Sequence, residues 1–104
     1  MGDVRFSRRA EADLLEIGSY TLREWGSKQT ARYLRDLQRC TALLASNPRL
    51  GRACDEVRPG LMRFEKGLHV FFYRMSPEGI IVSRVLHREM LPWRHTFEDI
   101  PTED

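Results

Sequence analysis

At 104 residues and 12.2 kDa the chain is the size of a single domain, because chains divide into separate cores only well above this length. With 41% hydrophobic and 31% charged residues it falls in the globular range, away from disordered and fibrous compositions. Seventeen bases against fifteen acids give +2, but Glu98, Asp99, Glu103 and Asp104 crowd the last seven residues, so residues 1–97 carry a net +6.

Val4 to Phe6 reads as a short strand, and Ser7 as the N-cap of a helix. From Arg8 to Trp25, Ala10, Leu14, Ile17, Thr21 and Trp25 recur in steps of three and four, the stripe of an amphipathic helix, with Leu15 and Leu22 widening it. Gly18 inside this helix costs about 1 kcal/mol relative to alanine, which close approach of a neighbour would explain. Gly26 is placed to end the helix and Ser27 to cap a second one, Lys28 to Ser46, whose stripe is Ala31, Leu34, Leu37, Thr41 and Leu44. Tyr33, Cys40 and Leu43 stand beside that stripe. So short a connection predicts an antiparallel helical hairpin. Asn47-Pro48 closes the second helix, with Asn47 expected in the left-handed conformation.

Residues 48–60, punctuated by Pro48, Gly51, Pro59 and Gly60, read as a loop. The period then changes. Leu61–Glu65, Leu68–Met75 and Ile80–His87 are rich in β-branched and aromatic residues and are separated by turn sequences, which predicts a three-stranded antiparallel meander. Strict alternation puts Val70 and Phe72 on one face, Phe71 and Tyr73 on the other. It likewise sets Val82, Arg84 and Leu86 against Ile81, Ser83 and Val85. The fold class is therefore α+β, with the first strand at a sheet edge. Two helices cover one face of such a sheet. The apolar surplus on the other is expected either to be a partner site or to be covered by the 48–60 loop and the segment after Leu86. Residues 1–97 form the one domain, and 98–104 an acidic, disordered tail.

Chemistry is sparse. Cys40 and Cys54 have no metal-ligand spacing with His69, His87 and His95, so both are expected as reduced core residues, with no metal and no cofactor. No phosphate-cradling glycine loop, nucleophile elbow or His-Glu-x-x-His occurs. Apolar runs never exceed four residues and no apolar stretch follows the N-terminal arginines, so neither a membrane span nor a signal peptide is expected, and the chain is read as cytoplasmic. The remaining cluster is His87, Arg88, Glu89, Arg94 and His95, after the last strand. A histidine beside arginines can position and stabilise charge in RNA cleavage, and equally can be a solvated strand end. A basic, arginine-rich body favours acidic protein partners or nucleic acid.

Six stretches in order and spacing carry a resemblance. They are Val4–Leu14, Trp25-Gly26, Asn47–Gly51, Arg58–Arg63, His69–Arg74 and Arg84–Met90. Together they resemble the ParE branch of the ParE/RelE toxin family over about residues 4–95. The resemblance implies the toxin of a two-gene addiction module, neutralised by a ParD-like antitoxin and poisoning DNA gyrase by protein binding, with no sequence-specific nucleic-acid contact of its own. The RelE branch instead cuts messenger RNA on the ribosome. In this chain that alternative would rest on Arg63, His87, Arg88 and His95. His69 stands where the cutters commonly have an arginine, and Arg94 where they have an aromatic residue, so the cutter site reads as missing. Shared fold does not settle the choice. The target-binding segment is expected at His87, Arg88, Met90, Trp93 and Arg94, which combines arginine and tryptophan anchors with a His-x-x-Met stretch. The alternative is that Met90, Leu91 and Trp93 close the open end of the sheet. The antitoxin contacts are expected at Tyr33, Leu34 and Leu37 on the helices and at Phe71 and Tyr73 on the sheet.

Overall fold

In the computed structural model, which describes residues 2–89, a short strand β1 (Asp3–Phe6) leads into the helical element α1 (Arg8–Ser46). A 3-10 turn (Pro48–Leu50) and a two-residue strand β2 (Arg52–Ala53) come next, then β3 (Met62–Lys66), β4 (His69–Ser76) and β5 (Gly79–His87). The five strands form one sheet in the order β1-β5-β4-β3-β2. The α+β class is as the sequence indicates.

Local chemistry explains where α1 starts and where it breaks. The Ser7 hydroxyl oxygen accepts the Ala10 N–H at 3.0 Å while its proton goes to the Ser83 carbonyl at 2.8 Å, so one cap ties the helix start to β5. Such a cap is worth about 1 kcal/mol. Gly26, at φ 84° and ψ 173°, lies outside helical geometry, and its positive φ is one that a side chain would resist. The Gly26 carbonyl accepts the Thr30 hydroxyl at 2.7 Å. A Cβ on Gly18 would lie 3.6 Å from Leu34 Cδ1, whereas sixteen residues of straight helix span about 24 Å. The chain therefore doubles back at Gly26. At the far end Asn47 adopts φ −137° and ψ 69°, outside the left-handed region, and its N–H reaches the Leu43 and Leu44 carbonyls.

The sheet separates two cores. On the helix side Ala10, Ile17, Leu37, Cys40 and Leu44 pack against Phe71, Tyr73, Ile80, Val82 and Val85. On the opposite side Cys54 and Leu61 enclose Val70, Phe72 and Leu86, with Val57 at the margin. The 54–61 loop thus covers the face that the helices leave bare. It is closed by Cys54 N–H to the Leu61 carbonyl (2.7 Å), Gly60 N–H to the Asp55 carboxylate (2.8 Å) and Arg74 to the Pro59 carbonyl (2.7 Å). Both cysteines are buried and free.

Three details depart from the sequence reading. Part of the expected 48–60 loop is ordered as the 3-10 turn and β2, which pairs antiparallel with β3. β1 sits at the sheet edge as expected, but it pairs parallel with β5, Val4 opposite Ile80, in an otherwise antiparallel sheet. Between Phe72 and Tyr73 the β5 partner jumps from Arg84 to Val82, which leaves Ser83 as the extra residue of a β-bulge. The bulge breaks strict alternation. Val82 and Val85 both face the helices, and Leu86 faces the loop.

One ion pair crosses from α1 to β5. Arg84 Nε and Nη2 each donate to Asp13 at 2.8 Å, and the Val85 N–H adds a third bond at 2.9 Å. The side chains are only 8% and 11% exposed. Removing one partner of a buried pair leaves the other charge without its counter-ion, which costs about 3–5 kcal/mol. Asp13→Ala is therefore expected to lower unfolding stability by about 3 kcal/mol, because it also strips an acceptor from Val85. Urea denaturation measures this, and a loss below about 1 kcal/mol, the worth of an exposed pair, would contradict it.

Candidate functional site

Two grooves flank the helical element, and each is built from residues that the doubling back at Gly26 brings together. The first, about 630 Å³, runs between the two halves of α1 over the edge of the sheet. Its floor is Leu37 and Phe71, and its walls are Phe6, Glu11, Leu14, Leu15, Leu34, Gln38 and Thr41. Leu15 projects from the wall with 74% of its surface exposed. The second, about 410 Å³, lies at the other end, where Tyr20 and Trp25 of α1 face Leu68, His69 and His87 of the sheet, with Gln29, Arg32 and Asp36 at its rim.

The second groove contains a hydrogen-bonded cluster. His69 and His87 are directly opposite on β4 and β5, with ring centroids 5.7 Å apart and edge to face. The Tyr33 oxygen lies 2.6 Å from His69 Nδ1 and accepts the Leu68 N–H at 3.2 Å. The assignment that uses every polar atom has the Tyr33 O–H donating to Nδ1, which leaves the His69 proton on Nε2. Burial first, and then the neighbouring His87, push the His69 imidazole down to about 4, while the Asp13 carboxylate opposes the shift. His69 is neutral in the neutral pH range. The same burial raises the Tyr33 phenol. His87 Nδ1 accepts the Glu89 N–H at 3.2 Å, so that nitrogen too is an acceptor. Neither ring presents an idle Nδ1. Among the described residues no group of three or more His, Cys, Asp or Glu side chains is arranged to hold a metal ion.

The residues singled out from the sequence are distributed unevenly. Leu34 and Tyr33 are half-buried, Leu34 in the first groove and Tyr33 in the second. Phe71, Tyr73 and Leu37 are not presented at an open face. Each is at most 2% exposed beneath α1, and the Tyr73 hydroxyl is engaged by the Pro48 carbonyl at 2.6 Å and the Gly51 N–H at 3.1 Å. Of the two readings of the face away from the helices, cover by the loop is the one found, at residues 54–61, while the expected antitoxin contacts Phe71 and Tyr73 lie in the helix-side core and are corrected on that ground.

Arg63 and His87 are not brought together. Arg63 pairs with Phe72 in the register, and its guanidinium lies over the Phe72 ring at 5.6 Å, on the loop side of the sheet. His69 and His87 line the helix-side groove. Arg63 is also three positions along β3 from the Lys66–His69–His87 row and two strands away from β5. Strand geometry makes that about 14 Å between backbones. Arg88 is exposed. Met90, Trp93, Arg94 and His95 lie outside the described residues.

Tyr20, Trp25 and Leu68 were not singled out as site residues, although they are 57%, 64% and 53% exposed. Trp25 falls on the helical stripe, which is why its sequence position suggests core. The signal against that reading is its place immediately before Gly26, where the helix stops.

The arrangement is an edge strand, a doubled-back helical element and a largely antiparallel sheet that it covers. Solved structures agree: the chromosomal ParDE system from P. aeruginosa superposes at a TM-score of 0.71 with 20% identity, covering 86% of this chain and 98% of that one. The toxin–antitoxin complex RelBE2 from Mycobacterium tuberculosis superposes at 0.60 with 22% identity, covering 84% and 98%. Residues 4–92 match the sequence profile described as ParE toxin of type II toxin-antitoxin system, parDE, and the chain belongs to the ParE toxin family. It is 49% identical over 85 residues to Toxin ParE1 of Mycobacterium tuberculosis (strain ATCC 25618 / H37Rv), a match covering 81% of this chain and 87% of that protein. It is 41% identical over 90 residues to Toxin ParE1 of Caulobacter vibrioides, covering 86% and 93%.

The imidazole cluster gives a titration test. A folded-state value below the ordinary 6.5 means that the unfolded chain binds the proton first. His69 therefore contributes stability that is fully present above about pH 6.5 and is lost as pH falls toward 4. By NMR the His69 ring is expected to titrate near 4. In His87→Gln its midpoint should rise yet stay below 6.5, because burial is the larger cause. A His69 midpoint at or above 6.5 in the parent chain would refute the arrangement.

Proposed function

We propose that this ParE-family toxin is neutralised by a ParD-like antitoxin seated in the first groove, and that it arrests growth by binding DNA gyrase rather than by catalysis. The observation that carries the non-catalytic reading is the separation of Arg63 from His87 across the two faces of the sheet. General acid–base cleavage needs its groups converging within about 3 Å of the reacting atoms, and two faces of one sheet do not offer that. The antitoxin reading is supported by the shape of the first groove: a mainly apolar trough walled by Leu14 and Leu15 from one half of α1 and Leu34 from the other suits the apolar stripe of an amphipathic helix. A net +6 over residues 1–97 suits an acidic partner. In this reading the two halves of α1 act as an antiparallel helical hairpin, backed by the β3–β4–β5 meander. The target contacts are His87, Arg88 and the segment beyond.

Two experiments test it. Leu15→Glu places a charge on an exposed groove wall and so should leave the melting temperature unchanged. It should weaken antitoxin binding by about tenfold or more, equivalent to about 1.4 kcal/mol. Isothermal titration with the antitoxin measures this, and an unchanged affinity places the antitoxin elsewhere. For the target, a supercoiling assay is set against a translation assay. The parent should inhibit gyrase and leave ribosome-bound messenger RNA intact, and Arg88→Ala with Arg94→Ala should lose inhibition while remaining folded. If the parent instead cleaves messenger RNA and the double variant does not, the RelE-like enzyme replaces this reading.

A further inference from the structure

The two halves of α1 differ in charge. Residues 8–25 hold three bases against four acids, whereas residues 27–46 hold four bases, Lys28, Arg32, Arg35 and Arg39, against the single acid Asp36. Those four recur in steps of four, three and four, so they stand in one row along the helix, about 16 Å from end to end. All four are exposed, on the side turned away from buried Leu37, Cys40 and Leu44. None has an ion-pair or hydrogen-bond partner among the described residues. We propose that this row is the phosphate track of a single-stranded nucleic-acid site, and that the second groove receives a base of the same strand against Trp25 and Tyr20. The inference depends on neither the antitoxin nor the gyrase reading.

The row and the groove meet at Arg32, which belongs to both. Trp25 and Tyr20 stand exposed on the groove wall beside it. Aromatic faces next to a line of cations are what an unpaired strand needs, since its bases stack while its backbone is held by charge. The polar groups divide the site between the two parts of a nucleotide. Asp36 at the rim repels a phosphate but accepts an N–H from a base edge, and Gln29 offers both a donor and an acceptor. His69 is neutral behind them and adds no charge to the groove. Phosphates are therefore kept on the outer row and the base enters the groove. A duplex does not fit this division, because its bases are stacked and paired inside the helix. Nor does an acidic protein fit the row itself. Between Lys28 and Arg39 the other exposed residues are Gln29, Ala31 and Gln38, so the row lacks the large apolar anchors of a protein interface. A sugar-phosphate backbone needs only the charges.

Fluorescence anisotropy of the full chain with a labelled oligothymidylate of about twelve nucleotides tests the site. The logarithm of the affinity should fall against the logarithm of salt concentration with a slope of about −3, as four single-strand phosphate contacts require. Arg35→Gln with Arg39→Gln should weaken binding at low salt about tenfold or more and bring the slope to about −1.4. Lys28→Gln with Arg32→Gln repeats the test at the other end of the row. Arg49→Gln with Arg58→Gln removes as much exposed charge outside the row and should leave the slope unchanged. Trp25→Ala should cost about tenfold in affinity with the slope unchanged, because stacking releases no counter-ions, and Trp25→Phe should recover most of it. Melting by circular dichroism confirms that these surface variants fold. No binding at low salt overturns the proposal, and so does parent affinity in Trp25→Ala. An equal drop in slope for the pairs inside and outside the row means diffuse attraction and overturns it too. A duplex of the same sequence length bound as tightly as the single strand overturns the single-strand assignment. Polyglutamate that competes as well as unlabelled oligonucleotide overturns it in favour of an acidic protein.

Discussion

The Asp13 carboxylate holds the structure in register. It accepts three N–H groups from two consecutive residues of β5, Arg84 through its guanidinium and Val85 through its backbone. β5 is the strand to which everything else is attached, since β1 pairs on one side of it and β4 on the other. α1 packs across it, and Ser7 caps the helix while bonding Ser83 one residue before Arg84. A slide of α1 by one turn would carry Asp13 about 5.4 Å from its donors and leave a buried charge uncompensated. Desolvation offsets much of the attraction in such a pair, so its main effect is to penalise alternative alignments. The bulge at Ser83 belongs to the same device. The extra residue re-aims the strand where the helix start and the ion pair both reach it.

That dependence explains which parts of the fold were legible in the sequence. Ser7, the three long strands and the stop at Gly26 are local features. A cap, an alternating run and a glycine break are each decided within a few residues, and each is found where its sequence places it. The Asp13–Arg84 pair spans 71 positions, and no periodicity announces it. Without it Arg84 reads as one more alternating residue of β5. The bulge is equally silent, because Val82-Ser83-Arg84 carries no glycine or proline to mark it. The parallel pairing of β1 results from the crossover through α1, a tertiary choice. Trp25 and Leu22 lie on or beside the helical stripe yet are exposed, since periodicity gives a face and only the packed structure says how far that face is covered.

The grooves arise from the same geometry. Doubling the helix back at Gly26 narrows the covered strip of sheet, and the apolar positions at its two ends are left uncovered. Leu15 stands at one end, with Tyr20 and Trp25 at the other. Each groove combines residues from both halves of α1 with residues from the sheet, so neither could be drawn from a contiguous stretch of sequence. The imidazole cluster needed still more: Tyr33 and His69 are 36 positions apart and meet only because the Leu68 turn lies against the second half of α1. Gly67, at φ 60°, lets that turn form with the Tyr33 ring 3.1 Å from where a Cβ would stand. A side chain there would both strain the backbone and push the phenol off His69.

The arginine excess has to be weighed against this architecture before it is used as an argument about partners. Counted from the sequence, every arginine of residues 1–97 contributes to the net +6. In the folded chain Arg84 is buried on Asp13, Arg63 lies over Phe72 within 3.8 Å of Glu65, and Arg74 closes the covering loop through the Pro59 carbonyl. The arginines of the central sheet therefore serve to hold the helix and the loop against its two faces. The field that an acidic partner meets comes instead from exposed positions: Arg23, Lys28, Arg32, Arg35 and Arg39 on α1, Arg49, Arg52 and Arg58 in the segment after it, and Arg88 where β5 ends. Of these Arg32 lines the second groove, whereas the central arginine of the loop-covered face is stacked on a core aromatic. Exposed cations thus stand on both sides of the sheet, and what distinguishes the helical side is the uncovered apolar surface of the two grooves.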